Sequence, residues 1–167
     1  MGIELYKDQD YFFDLITGKA PAYKIDNTAE IIKAGAASGP LIGGTLALIC
    51  SLVGTGYMPI IKGHVLFIED CFEELSRIDR MLCQLKLALP FSELGGLIVG
   101  QFTDAQDSGA AFGFSLTDIL REHSDSINGP VVMNMPFGHG ERLQSLAFGA
   151  QATFKADSKT DRVSLKF

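Results

Sequence analysis

The sequence holds no tryptophan, three cysteines, three histidines and six prolines among 167 residues. Each scarcity removes a class of protein. Cys50, Cys71 and Cys83 are an odd count, 21 and 12 residues apart, with no CxxC and no Cys/His pair at zinc spacing. Neither a disulfide framework nor a structural metal site is indicated. All three thiols read as small buried groups in apolar helical surroundings. Positive charge is short too: 14 Lys and Arg against 20 Asp and Glu give a net charge of −6 and a pI near 5.0. A nucleic-acid or anionic-membrane partner needs a basic face to neutralise phosphate, so neither is expected. The longest apolar run, about 46–53, is far too short to cross a bilayer. The opening MGIELYKDQD lacks the basic-then-apolar order of a secretory signal. The chain reads as a soluble cytoplasmic domain.

What is present is an ordinary globular composition, 47% hydrophobic, 20% charged and 10% aromatic, at the length of one domain. Residues 1–20 suggest a short helix capped by Asp8, with Tyr11, Phe12, Leu15 and Ile16 on one face and Gly18 at its end. GAASGPLIGG (35–44), with four glycines and a proline, reads as a loop. Thr45 then caps an apolar helix over 46–53 that has almost no polar side and is expected to be buried. Residues 59–70 read as a strand ending in the unbroken apolar run Val65–Ile68, which suits coverage on both faces. A helix follows over about 71–89, with Asp70 and Glu73 as an acidic capping box and Glu73–Arg77 as an i,i+4 pair. Gly96–Phe102 is a strand, 103–114 a loop, and Ser115 with Asp118 opens a helix to about Ser124. Pro130–Met135 is a strand, PFGHGER (136–142) a turn, and 150–167 a hairpin around SKTD (158–161).

Chemistry has few places to reside. Of the acids after the Val65–Ile68 run, Asp70, Glu73 and Glu74 are explained by the helix start. Glu69 is left over at the carboxyl end of a buried strand, where a carboxylate is costly unless paired. His64 reads as a solvated turn residue and His123 as a cation at a helix end. His139 differs, because glycines on both sides let a tight loop present one imidazole. A Glu and a His on different strand-end loops make two members of a nucleophile–base–orienter triad. The third is missing: none of the eleven serines sits in GxSxG or a comparable elbow, and no cysteine has an electropositive setting. GK[ST], GxGxxG opening a helix, and HExxH are also absent.

Five ordered segments carry a resemblance: GPLIGGTLALICSLVGTGYMP (39–59), LFIED (66–70), RIDRMLCQLK (77–86), GLIVGQFTD (96–104) and PFGHG (136–140). Together, over about 18–167, they resemble the C-terminal half of the LD-carboxypeptidase family of serine peptidases, which includes the microcin-immunity peptidases. The resemblance implies an α/β fold, a three-layer β/β/α swivelling-type domain with mixed sheets. It implies a linker or N-terminal helix over 1–20, the family domain over 21–167, and an N-terminal nucleophile domain absent from this chain. It also implies a Ser–Glu–His triad in which Glu69 and His139 are the catalytic Glu and His. The family departs from this chain at Thr45, where it usually has Asn, and at Ala147, where it usually has Pro.

The expectation is therefore a domain that supplies Glu69 and His139 to cytoplasmic amide hydrolysis, releasing a terminal D-amino acid from murein peptides during cell-wall recycling. No cofactor is implied, since acyl transfer by a triad needs none. The implied partners are a murein-type peptide in the full enzyme and the missing N-terminal domain. Loss of that domain bares an apolar face, through which a homo-oligomer is expected around 136–142. The chain alone is expected to be inactive. The alternative is a non-catalytic binding or assembly module that kept the fold.

Overall fold

The computed structural model describes residues 8–19, 22–25, 27–107, 109–141 and 143–167. The expected helix over 1–20 lies partly outside them, at 1–7 and 20, as does Arg142 of the 136–142 turn. In chain order the elements are α1 (Gln9–Ile16), β1 (Glu30–Lys33), β2 (Gly35–Thr45), α2 (Leu46–Leu52), β3 (Val65–Cys71) and α3 (Leu75–Ala88). A 3-10 turn (Phe91–Glu93), β4 (Gly96–Thr103), α4 (Leu116–His123), β5 (Val131–Met133), β6 (Gln151–Asp157) and β7 (Arg162–Lys166) follow. The strands form one mixed sheet in the order β1-β5-β4-β3-β2-β6-β7. Its four central strands, β5, β4, β3 and β2, are mutually parallel, and the flanking pairs are antiparallel.

Unbroken apolar runs form these central strands because both faces are covered. Leu66, Ile68, Leu97 and Val99 point into a core shared with α2, α3 and α4. Their neighbours Val65, Ile98 and Val132 point into a second core with Tyr11, Phe154 and Leu165. The sheet rolls so that β1 touches β6, and a Cβ on Gly96 would lie 3.2 Å from the Phe154 ring. One end of the sheet thus covers the other, with helices on the outer face, in the α/β arrangement of mixed sheet and helices that the resemblance implied.

Several local expectations are corrected. The stretch 35–44 is no loop but most of β2, paired with β3 on one side and β6 on the other. Its glycines are packing sites: a Cβ on Gly39 would overlap the carbonyl of Gly63, and one on Gly43 the carbonyl of Phe67. The strand expected from residue 59 starts only at Val65, after a turn in which Gly63 has φ +71°. The helix expected from 71 starts at Leu75, because β3 continues to Cys71 and Phe72 takes a left-handed φ of +58°. Glu74 is its N-cap, so the Asp70–Glu73 box is not formed, although Glu73 does pair with Arg77 at 3.2 Å. Cys71 therefore lies in a strand, not a helix. Helix α2 is buried on one side only, since Leu48 is 66% exposed. In α1 Tyr11 is buried while Phe12 and Ile16 face outward, and Asp8 makes no cap bond but accepts from the Ser145 amide at 2.8 Å. The capping box of Ser115 and Asp118 on α4 and the terminal β6–β7 hairpin are formed as expected.

Candidate active site

Parallel strands deliver their C-terminal ends to one rim of a sheet, and three of them end here in residues with left-handed backbone. Phe72 follows β3, Asp104 follows β4 and Asn134 follows β5, with φ of +58°, +53° and +59°. Such angles are uncommon outside glycine and gather where a backbone must turn sharply. Glu69 lies on this rim. The β3–β4 ladder is in register up to Ile68–Val99 and resumes at Asp70–Phe102, so Gly100 and Gln101 of β4 together face Glu69. The bulge is thus on β4, and Glu69 keeps the alternation of β3, on the same face as Val65 and Phe67.

The Glu69 carboxylate is buried, at 7% exposure, yet neither oxygen lacks a donor. Oε1 accepts the Thr45 hydroxyl at 2.8 Å, and Oε2 lies 2.7 Å from Nδ1 of His139. An ionised carboxylate only accepts, so against one a neutral ring must carry its proton on Nδ1 and leave the lone pair on Nε2. The imidazole is 54% exposed, and Nε2 makes no hydrogen bond to any described residue. The structure thus brings together the two residues singled out from the sequence, 70 positions apart.

The loop that carries His139 is pinned to β4. Met135 donates its amide to Val99 at 3.0 Å, Gln101 donates to Phe137 at 2.9 Å, and Gln101 and Gly138 form a parallel bridge. Phe137 is buried against Gly100, where a Cβ would come 2.5 Å from its ring, and stacks edge-on against Phe67 at 5.7 Å. Both glycines beside His139 are in close contact. A Cβ on Gly138 would sit 3.0 Å from Oε2 of Glu69, at φ +112°, and one on Gly140 would overlap the Gln101 side chain. Glycine here lets the loop lie directly on the carboxylate.

Asp70, one residue on, points to the other face of β3 and is 4% exposed. It accepts the Ala47 amide at the start of α2 and the Cys71 amide, each at 2.9 Å. The sequence assigned it to the wrong helix. Burial, and then Asp70, push the Cys50 thiol up to about 11, and Cys71 is raised by burial and by the acids Asp70 and Glu69. Neither is a thiolate nucleophile. His64 is half-buried, with Nδ1 3.0 Å from the Lys62 carbonyl. His123 does end α4, but it is buried there, with Nε2 2.8 Å from Asp79 Oδ1. That pair joins α4 to α3, away from the rim, and no local spacing announced it. Among the described residues no group of three or more His, Cys, Asp or Glu could hold a metal ion, and no helix is long and apolar enough to cross a membrane.

The chain is similar to known proteins. The family model described as the LD-carboxypeptidase C-terminal domain matches residues 38–154. A Bacillus subtilis protein named "Probable murein peptide carboxypeptidase" is 33% identical over 126 residues, covering 75% of this chain and 40% of that protein. The murein tetrapeptide carboxypeptidase of Pseudomonas aeruginosa is 32% identical over 120 residues, covering 71% and 38%. The crystal structure of muramoyltetrapeptide carboxypeptidase from Oxalobacter formigenes superposes with a TM-score of 0.80 at 26% identity, over 95% of this chain and 53% of that one. The chain spans about two-fifths of the length of the curated relatives it matches. It belongs to the LD-carboxypeptidase family and corresponds to that family's C-terminal domain.

Proposed function

We propose that this chain supplies Glu69 and His139 to a serine carboxypeptidase that removes the terminal D-amino acid from murein peptides. The observation that carries the reading is the 2.7 Å contact of a buried carboxylate with Nδ1 of a half-exposed imidazole. In that arrangement Glu69 fixes the tautomer and stabilises the imidazolium, while Nε2 faces outward toward a nucleophile. His139 takes the proton of a serine hydroxyl as its oxygen attacks the scissile carbonyl. It then returns the proton to the leaving amine as the C–N bond breaks, leaving an acyl-serine. Water, deprotonated by the same nitrogen, releases the acid and the serine.

The serine belongs to a domain that this chain does not contain, a reading supported by the share of its relatives that it spans and by the lack of a nucleophile elbow. The murein substrate is carried over from the names of those relatives. Mass spectrometry of an L,D-tetrapeptide tests the proposal. The chain alone should release no D-amino acid. Joined to a serine-bearing domain it should do so, and Glu69→Ala or His139→Ala should remove the activity. Product from the chain alone that survives both substitutions would overturn the reading.

A further inference from the structure

Thr45 occupies the N-cap of α2 with extended backbone, φ −62° and ψ 127°. A threonine there ordinarily accepts an amide N–H from the second or third helical residue. This one makes no such bond. Its hydroxyl instead donates to Oε1 of Glu69 at 2.8 Å, and the amide it would have served, that of Ala47, donates to Oδ2 of Asp70 at 2.9 Å. The capping task has passed to the acid next to Glu69, on the opposite face of the same strand. That exchange frees the threonine hydroxyl. Register holds it in place, because Thr45 and Glu69 are partners in the parallel β2–β3 ladder.

The terminal torsion of a glutamate is broad, so strand position alone does not fix where its two oxygens point. Oε2 must face Nδ1 for the imidazole to keep its other nitrogen free. A hydroxyl has one proton to donate, and here it is committed to Oε1. We infer that Thr45 is a positioning residue, whose hydroxyl orients the Glu69 carboxylate toward His139; this rests on the reading of that pair proposed above. Thr45 acts through Glu69. The first-turn amide of α2 is served by Asp70, not by the Thr45 hydroxyl.

The test is the tautomer of His139, read from ring 15N shifts of the histidine-labelled 167-residue chain at a pH where the ring is neutral. Wild type and Thr45→Ser should hold the Nδ1–H form. Thr45→Val and Thr45→Ala, with amide spectra showing the fold intact, should move the ratio toward Nε2–H by roughly two- to tenfold, the effect of one net hydrogen bond. Glu69→Ala should abolish the preference. If Glu69→Ala does so while both Thr45 variants match wild type, the pair stands and the role of Thr45 is overturned. If Glu69→Ala leaves the wild-type ratio unchanged, the pair itself falls, and this inference with it.

Discussion

Two glycine-rich stretches of this chain have nearly the same local character and opposite fates. Residues 35–44 run through the sheet as β2, while 136–141 lie in the loop that carries His139. In both, the missing side chain is used for proximity. In β2 it admits the carbonyls of Gly63 and Phe67; in the loop it admits the Glu69 carboxylate and the Gln101 side chain. Composition reports that a Cβ is absent. It does not report what fills the space.

The largest effect is expected where backbone occupies that space. Gly39 has no left-handed φ, so Gly39→Ala is a purely steric change against the Gly63 carbonyl. It should cost roughly 2–5 kcal/mol, measured as a fall in the urea midpoint of unfolding. A near-normal midpoint would mean that β2 is packed as loosely as a loop, and the comparison would fail.

Gly138→Ala should follow, at roughly 1–3 kcal/mol for the strained backbone. Its signature is different, because the added methyl meets Oε2 of Glu69. The Nδ1–H signal of His139 should be lost while the rest of the spectrum stays native. Retention of that signal would show that the loop can stand off from the carboxylate.

Gly54, at φ +82° with nothing within 4 Å of its absent Cβ, separates conformation from contact. Gly54→Ala should cost about 1 kcal/mol by differential scanning calorimetry. Gly56 has neither a left-handed φ nor a close neighbour, and Gly56→Ala should stay within about 0.5 kcal/mol of wild type. A loss at Gly56 as large as at Gly54 would sink the distinction drawn between the two causes.

Local patterns announced the elements that depend on local interactions. The Ser115–Asp118 box, the Glu73–Arg77 pair, the β6–β7 hairpin and the run of β4 each rest on neighbours in sequence or on simple burial. What was misread depends on partners far along the chain. Ser38 became strand because Thr153 and the rest of β6 lie beside it. Asp70 was assigned to the following helix, since its true partner, the Ala47 amide, is brought to it by the β2–β3 pairing. Thr45 was rightly put at a helix start, but its hydroxyl serves Glu69. His123 finds Asp79 only through the packing of α4 on α3. For the candidate site, Glu69 stood out as a charge at a buried strand end and His139 as an imidazole between glycines. Their contact was visible only through the family resemblance, because the strand register that places Glu69 and the Gln101–Gly138 bridge that places the His139 loop leave no local mark.

The position of β2 also bears on how the chain is made. One of its neighbours, β3, leaves the ribosome soon after it, but the other, β6, starts only at Gln151. Until β6 emerges, the outer edge of β2 has unpaired amides and carbonyls, the kind of edge that recruits strands from other chains. Its pairing joins residues as distant as Gly35 and Ala156, which favours slow closure. A nascent chain stalled before Gln151 would therefore carry the components of the rim on an open sheet, exposed to aggregation until the β6–β7 hairpin seals it.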